Sequence, residues 1–170
     1  YLKIQENNTV RLALAKTFVK LQRAHNAFEH FEKCFNDGMQ TEEVVENLIM
    51  GAFNSSNYNN LQKYCDIFNK ISTNEDRKNA ILIIQHLFIE GNLGSHEEIE
   101  KDRLRFKTNI QKLRDMKLNV KNMNAFLTPW CAKVGFPLSY HHMNNSELLK
   151  DFSLLHREMC PDLQYIAKHC

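Results

Sequence analysis

The feature that most restricts this chain is the step at which its apolar residues recur. Between Thr9 and Asn36, Leu14, Phe18, Leu21, Phe28, Phe31 and Phe35 return at steps of three, four and seven, which lays one apolar stripe along a helix. A helix over that whole range is about 40 Å long, and Asp37-Gly38 ends it. Thr41 caps the next helix. Its first turn carries Glu42 and Glu43, favourable beside the positive helix end, and its inner face is Val44, Val45, Leu48, Ile49, Ala52 and Phe53.

The same period continues downstream. NSSNYNN (54–60) reads as a loop, because its side chains hydrogen-bond local backbone in competition with helix. Leu61, Cys65, Phe68 and Ile71 then resume the stripe. Ser72 and Glu75 have capping-box spacing, as do Ser95 and Glu98. The run ILIIQHLFI (81–89) is apolar on nearly every face, which predicts a helix surrounded by others and places the centre of the core there. A long charged helix follows, burying Ile99, Phe106, Ile110 and Leu113. The segment 128–145, with two prolines and the only tryptophan, is the least regular. A last helix starts near Ser146, buries Leu148, Leu149, Phe152, Leu155 and Met159, and is interrupted at Pro161.

Three prolines and five glycines in 170 residues argue against turn-rich β architectures and phosphate-cradling loops. The expected fold is all-α: a compact bundle of about six helices around the helix at 81–89, forming one domain over 1–170. A net charge of +2 lacks the basic excess of a dedicated nucleic-acid binder, so no nucleic acid is expected. The first twenty residues hold no run long enough to span a bilayer, and no membrane insertion is expected. Numbering opens on Tyr1 and not on Met, for which a removed secretory leader is preferred over a trimmed boundary.

Five cysteines, Cys34, Cys65, Cys131, Cys160 and Cys170, are too widely spaced for zinc ribbons or redox motifs and suit long-range disulfides. Their odd number leaves at least one thiol free or paired with a second copy, which would give a homodimer. Sequons at Asn7, Asn54 and Asn144 fall at helix ends, where a glycan would reach solvent.

No catalytic signature is present, so neither enzyme activity nor a cofactor is expected. His30 and His156 each precede a cysteine, Cys34 and Cys160, by four residues, so each pair shares a helix face. Two such pairs could hold zinc or, without their histidines, form a Cys34–Cys160 disulfide. Packing is the commoner role of such residues, and no metal is assigned. Glu29 and Glu32 lack the ExxH partners of a di-iron site. Cys131 beside Trp130 has no histidine close in sequence to activate it.

From His96 to Lys121 eight Lys or Arg stand against five acids. Lys101, Arg105, Lys112 and Arg114, with Trp130, are the candidate partner-binding residues, since clustered cations steer association. The Thr128–Asn145 loop is the second candidate surface.

Short stretches also resemble a known family. Phe53-Asn54-Ser55-Ser56, Ile67-Phe68-Asn69-Lys70 and Asn74-Glu75-Asp76-Arg77-Lys78 before an apolar helix resemble the first helices of interferon-gamma-like proteins among the class II helical cytokines. Asn109-Ile110-Gln111-Lys112-Leu113-Arg114-Asp115 is similar to a helix of the interleukin branch of that class. Together these matches cover at most 50 residues. The resemblance implies a secreted, disulfide-bonded helical ligand that binds a cell-surface receptor through exposed helix faces and does no chemistry. Two other readings stand beside it: a secreted carrier holding an apolar molecule against Phe18, Phe28, Phe31 and Phe35, and an intracellular helical adaptor with reduced cysteines.

Overall fold

A computed structural model describes residues 7–90, 93–122 and 134–165. Among them the chain is all-α, with seven α-helices, two short 3-10 helices and no strand. It divides into two compact units, Tyr1–Ser72 and Thr73–Cys170.

The first unit holds α1 (Asn8–Lys20), α2 (Ala24–Asn36), α3 (Glu42–Asn54) and α4 (Tyr58–Ile71), each packed on the next in sequence. The single helix expected over 9–36 is therefore two. The chain reverses at Leu21-Gln22-Arg23, where Gln22 adopts a left-handed φ of 58°. Its N–H donates to the Val19 carbonyl, and that of Arg23 to the Phe18 carbonyl. This pair of bonds is a Schellman ending, usually built on glycine. An apolar stripe is the same for one long helix as for two antiparallel ones, and no proline or glycine marks the break.

The core of this unit is Ala27, Phe31, Cys34, Phe35, Val44, Val45, Leu48, Ile49, Ala52, Leu61, Tyr64, Cys65 and Phe68. The Thr41 hydroxyl accepts from the Val44 N–H, capping α3 as its sequence predicts. The NSSNYNN loop is only partly a loop. Asn54 closes α3, Asn57 caps α4 by accepting from the Asn60 N–H, and Tyr58 is already helical. Phe28 lies directly over Gly51, where an added Cβ would come within 2.0 Å of its ring.

The second unit contains α5 (Glu75–Leu87), α6 (His96–Asp115) and α7 (Ser146–Met159), with 3-10 helices at Phe136–His141 and Pro161–Gln164. α6 packs on both α5 and α7. The capping box expected at Ser72 is replaced: Ser72 ends α4, and Asn74 caps α5 through its side chain to the Arg77 N–H. The box at Ser95 and Glu98 is present with both of its bonds. α5 is buried on nearly all sides, through Asn79, Ala80, Ile81, Ile83, Ile84, Gln85 and Leu87. The chain beyond α6 ties the other two helices: Asp76 accepts from the Lys121 and Asn122 N–H groups, and the Val120 N–H donates to the Met159 carbonyl. Of the residues expected to line α7, Leu148, Leu155 and Met159 are buried, Phe152 is half-buried, and Leu149 is exposed. α7 stops at Met159, and Pro161 opens the following 3-10 turn, where its missing N–H costs nothing.

Candidate functional site

α6 is amphipathic because Asp102, Phe106, Ile110 and Leu113 lie on one side and are buried. Its cations then divide by type. The Arg105 guanidinium turns inward, donating through Nε to Asp102 Oδ1 at 2.8 Å and through its terminal nitrogens to the His86 and Phe88 carbonyls. Asn109 Nδ2 also reaches the His86 carbonyl, at 2.7 Å. These donors satisfy carbonyls at the C-terminus of α5 that no longer have a helical partner, with a cation at the negative end of the dipole. Arg103 fastens the 3-10 segment, donating to Asn145 Oδ1 and, at 2.7 Å, to the Asn144 carbonyl. Arg114 forms a bidentate pair with Glu158 of α7, at 2.8 and 2.5 Å. Each holds the other charged: Glu158 raises the Arg114 pKa, and Arg114 lowers that of Glu158.

Of the predicted contact residues, Arg105 and Arg114 are thus paired within the chain, with Asp102 and Glu158. Lys101 and Lys112 are exposed on α6, and Leu104 and Thr108 stand exposed between them at helical spacing. Leu104 is 66% exposed. Trp130 lies outside the described residues.

The described part of the second candidate surface, Val134–Asn145, carries an aromatic pair. Phe136 and Tyr140 are 61% and 62% exposed, with ring centroids 5.5 Å apart in an edge-on arrangement. Sequence reading passed over both. Two aromatics four residues apart between Gly135 and two histidines continue no helical stripe, and that isolation was the available signal. Beneath them Leu138 and His141 are buried. The His141 pKa is lowered by burial and by Arg103, against an opposing pull from Asp102. His141 Nδ1 and Asp102 Oδ2 are both buried without a hydrogen-bond partner among the described residues.

The cysteine expectations need revision. Cys34, Cys65 and Cys160 are buried free thiols, not disulfide partners; Cys131 and Cys170 lie outside the described residues. Cys34 Sγ donates to the Asn8 carbonyl at 3.7 Å, and burial raises the pKa of both Cys34 and Cys65, which keeps them protonated. The histidines of the paired His–Cys spacing have local roles. His30 stacks on Phe18 at 5.5 Å between centroids, and His156 Nδ1–H donates to the Phe152 carbonyl at 2.8 Å. No group of three or more metal-ligating side chains occurs among the described residues.

Asn7, Asn54 and Asn144 are exposed. Asn7 and Asn144 each accept, through Oδ1, from the backbone N–H of the Thr or Ser two residues on. The phenylalanines of the carrier reading pack within the helices: Phe31 is buried, Phe35 meets Tyr64 edge-on, and Phe28 covers Gly51. Open grooves lie elsewhere, one of about 340 Å³ between α6 and α7 around the Arg114–Glu158 pair and one of about 440 Å³ beside Tyr165. No described helix is long and apolar enough to cross a membrane. Comparison of the chain with protein-family models, with curated proteins and with solved structures finds no match.

Proposed function

We propose that this protein is a non-catalytic recognition protein, a cytokine-like ligand acting outside the cell, that binds a protein receptor through the outer face of α6. One observation carries the reading. The arginines of α6 are spent on the fold, while Lys101, Leu104, Thr108 and Lys112 face water as one stripe. The two lysines can steer the face onto an acidic partner surface, and Leu104 between them offers an apolar contact there. Phe136 and Tyr140 form a second contact patch of the aromatic kind that dominates binding energy. The exposed sequons, two of them in local turns at helix starts, support an extracellular location.

Labelled protein should bind whole cells saturably, and unlabelled protein should displace it. Lys101→Glu/Lys112→Glu should abolish binding while leaving the circular dichroism spectrum and melting temperature unchanged. Binding that survives the double charge reversal would remove the α6 face from the proposal.

A second reading has its own support. The three buried free thiols suit a reducing compartment, and with it an intracellular adaptor using the same face. Intact mass after alkylation under denaturing conditions, with and without prior reduction, separates the two. Five modified thiols without reduction favour the adaptor, and two protected cysteines favour the extracellular ligand.

A further inference from the structure

The three exposed sequons, at Asn7, Asn54 and Asn144, are held in different backbone conformations. At Asn7 the side-chain Oδ1 accepts from the Thr9 N–H at 2.8 Å, and at Asn144 it accepts from the Ser146 N–H at 2.9 Å. Each is an Asx turn closed within its own three residues. At Asn54 the corresponding donor is already taken. Asn54 is the last residue of α3, the Ser56 N–H donates to the Phe53 carbonyl at 3.2 Å, and Ser56 itself is left-handed, with φ 54°.

This difference bears on what the amides can do chemically. An amide nitrogen is a poor nucleophile because its lone pair is shared with the carbonyl, so bond formation at Nδ2 depends on losing a proton from it. A hydrogen bond donated to Oδ1 stabilises the negative charge that develops there and makes that proton easier to remove. Asn7 and Asn144 have this hydrogen bond. Because it spans only two residues, the turn needs no tertiary structure and can form in a chain that has not yet folded.

The finished fold accommodates the product at both positions. Oδ1 closes the turn and Nδ2 is the atom that would carry a sugar, so a glycan at Asn7 leaves the cap of α1 in place. At Asn144 the backbone carbonyl accepts from Arg103 Nη2 at 2.7 Å, which holds the main chain while the residue stays exposed.

We propose that Asn7 and Asn144 are N-glycosylated and that Asn54 is not. The donor is an oligosaccharide joined to a lipid pyrophosphate. The bond from Nδ2 to the first sugar carbon forms as that carbon's bond to the pyrophosphate oxygen breaks. The lipid pyrophosphate leaves with the electron pair, and the Nδ2 proton passes to a base of the transferase. The proposal rests on the extracellular reading, because this transfer takes place on chains entering the secretory route. It adds to that reading which sites are used and why.

The full chain, expressed behind a secretory leader in animal cells, provides the test. Treatment with peptide-N-glycosidase in heavy-oxygen water turns each glycosylated asparagine into a labelled aspartate, which peptide mass spectrometry locates in secreted and retained protein alike. Label at Asn7 and Asn144, and none at Asn54, is expected. Thr9→Ala and Ser146→Ala should each remove one glycan while keeping the asparagine that closes the turn. Label at Asn54, or its absence at Asn7 or Asn144, overturns the proposal. The supplied leader makes these outcomes independent of where the chain naturally resides. Native protein found in the cytosol with all three sequons unmodified would instead overturn the extracellular reading, and the natural modification with it.

Discussion

Arg105 and Lys101 are one helical turn apart on α6, both are cations, and the structure gives them different work. Removing the Arg105 guanidinium leaves the Asp102 carboxylate buried without its cation and the His86 and Phe88 carbonyls without a donor. Arg105→Ala should therefore cost about 2–4 kcal/mol in chemical denaturation. Lysine should rescue little, since an ammonium cannot spread donors over three acceptors as the guanidinium fork does. Lys101→Ala, at an exposed site, should change stability by less than about 0.5 kcal/mol. Gly51 poses a contest of a different kind. In a helix interior alanine is favoured over glycine by about 1 kcal/mol. Here its Cβ would come within 2.0 Å of the Phe28 ring, and even the ring root, Cγ, lies only 3.0 Å away, so the ring cannot simply swing aside. Overpacking of this kind costs about 1–3 kcal/mol beyond the propensity gain, so Gly51→Ala should lower the melting temperature. Phe28→Leu/Gly51→Ala should recover part of the loss, which a double-mutant cycle would register as coupling.

At the level of helices and their ends, the weak points among the described residues are four left-handed residues that are not glycine: Gln22 at φ 58°, Ser56 at 54° and Lys117 at 50°, each just beyond an α-helix, and His142 at 53°, just beyond the 3-10 helix Phe136–His141. Gly38, at 91°, performs the same task after α2 without a side chain to strain. Replacing Gln22 or Lys117 by glycine should stabilise the protein by a few tenths to about 1 kcal/mol, the relief of αL strain exceeding glycine's entropic cost. A melting temperature that fell in both variants would contradict this. These endings also show what was legible in the sequence. Periodicity found the buried faces of α3, α5 and α6, and capping chemistry found Thr41 and Ser95, because each is a local signal in adjacent residues. The reversal at Gln22 was hidden because its ending uses a residue with no turn preference, fixed only by the packing of α1 on α2. The candidate contact cations were half legible: charge identifies a basic helix, but only the positions of Asp102, Glu158, Asn144 and Asn145 decide which cations are taken up by the fold.

For the molecule as a whole, the two units should respond differently to acid. His141 and His156, whose pKa values are lowered mainly by burial, both lie in the unit from Thr73 to Cys170. A histidine with a lowered folded-state pKa is held neutral, so between that value and the unfolded value near 6.5 the unfolded chain binds more protons. Stability from these sites is therefore complete above about pH 6.5 and is lost as pH falls through the folded-state values. The positive charge created at His141 would stand beside Arg103, only partly offset by Asp102; at His156 it would be packed against Phe152. Hydrogen exchange followed by mass spectrometry between pH 7.5 and 5, corrected for intrinsic exchange, should show protection falling first in α6, α7 and the 3-10 segment that Arg103 fastens. His156→Gln should flatten the pH dependence in α7 while leaving that of the 3-10 segment, because the two histidines titrate in separate surroundings. Loss of protection that began instead in α1 to α4 would mean that other groups govern the acid response.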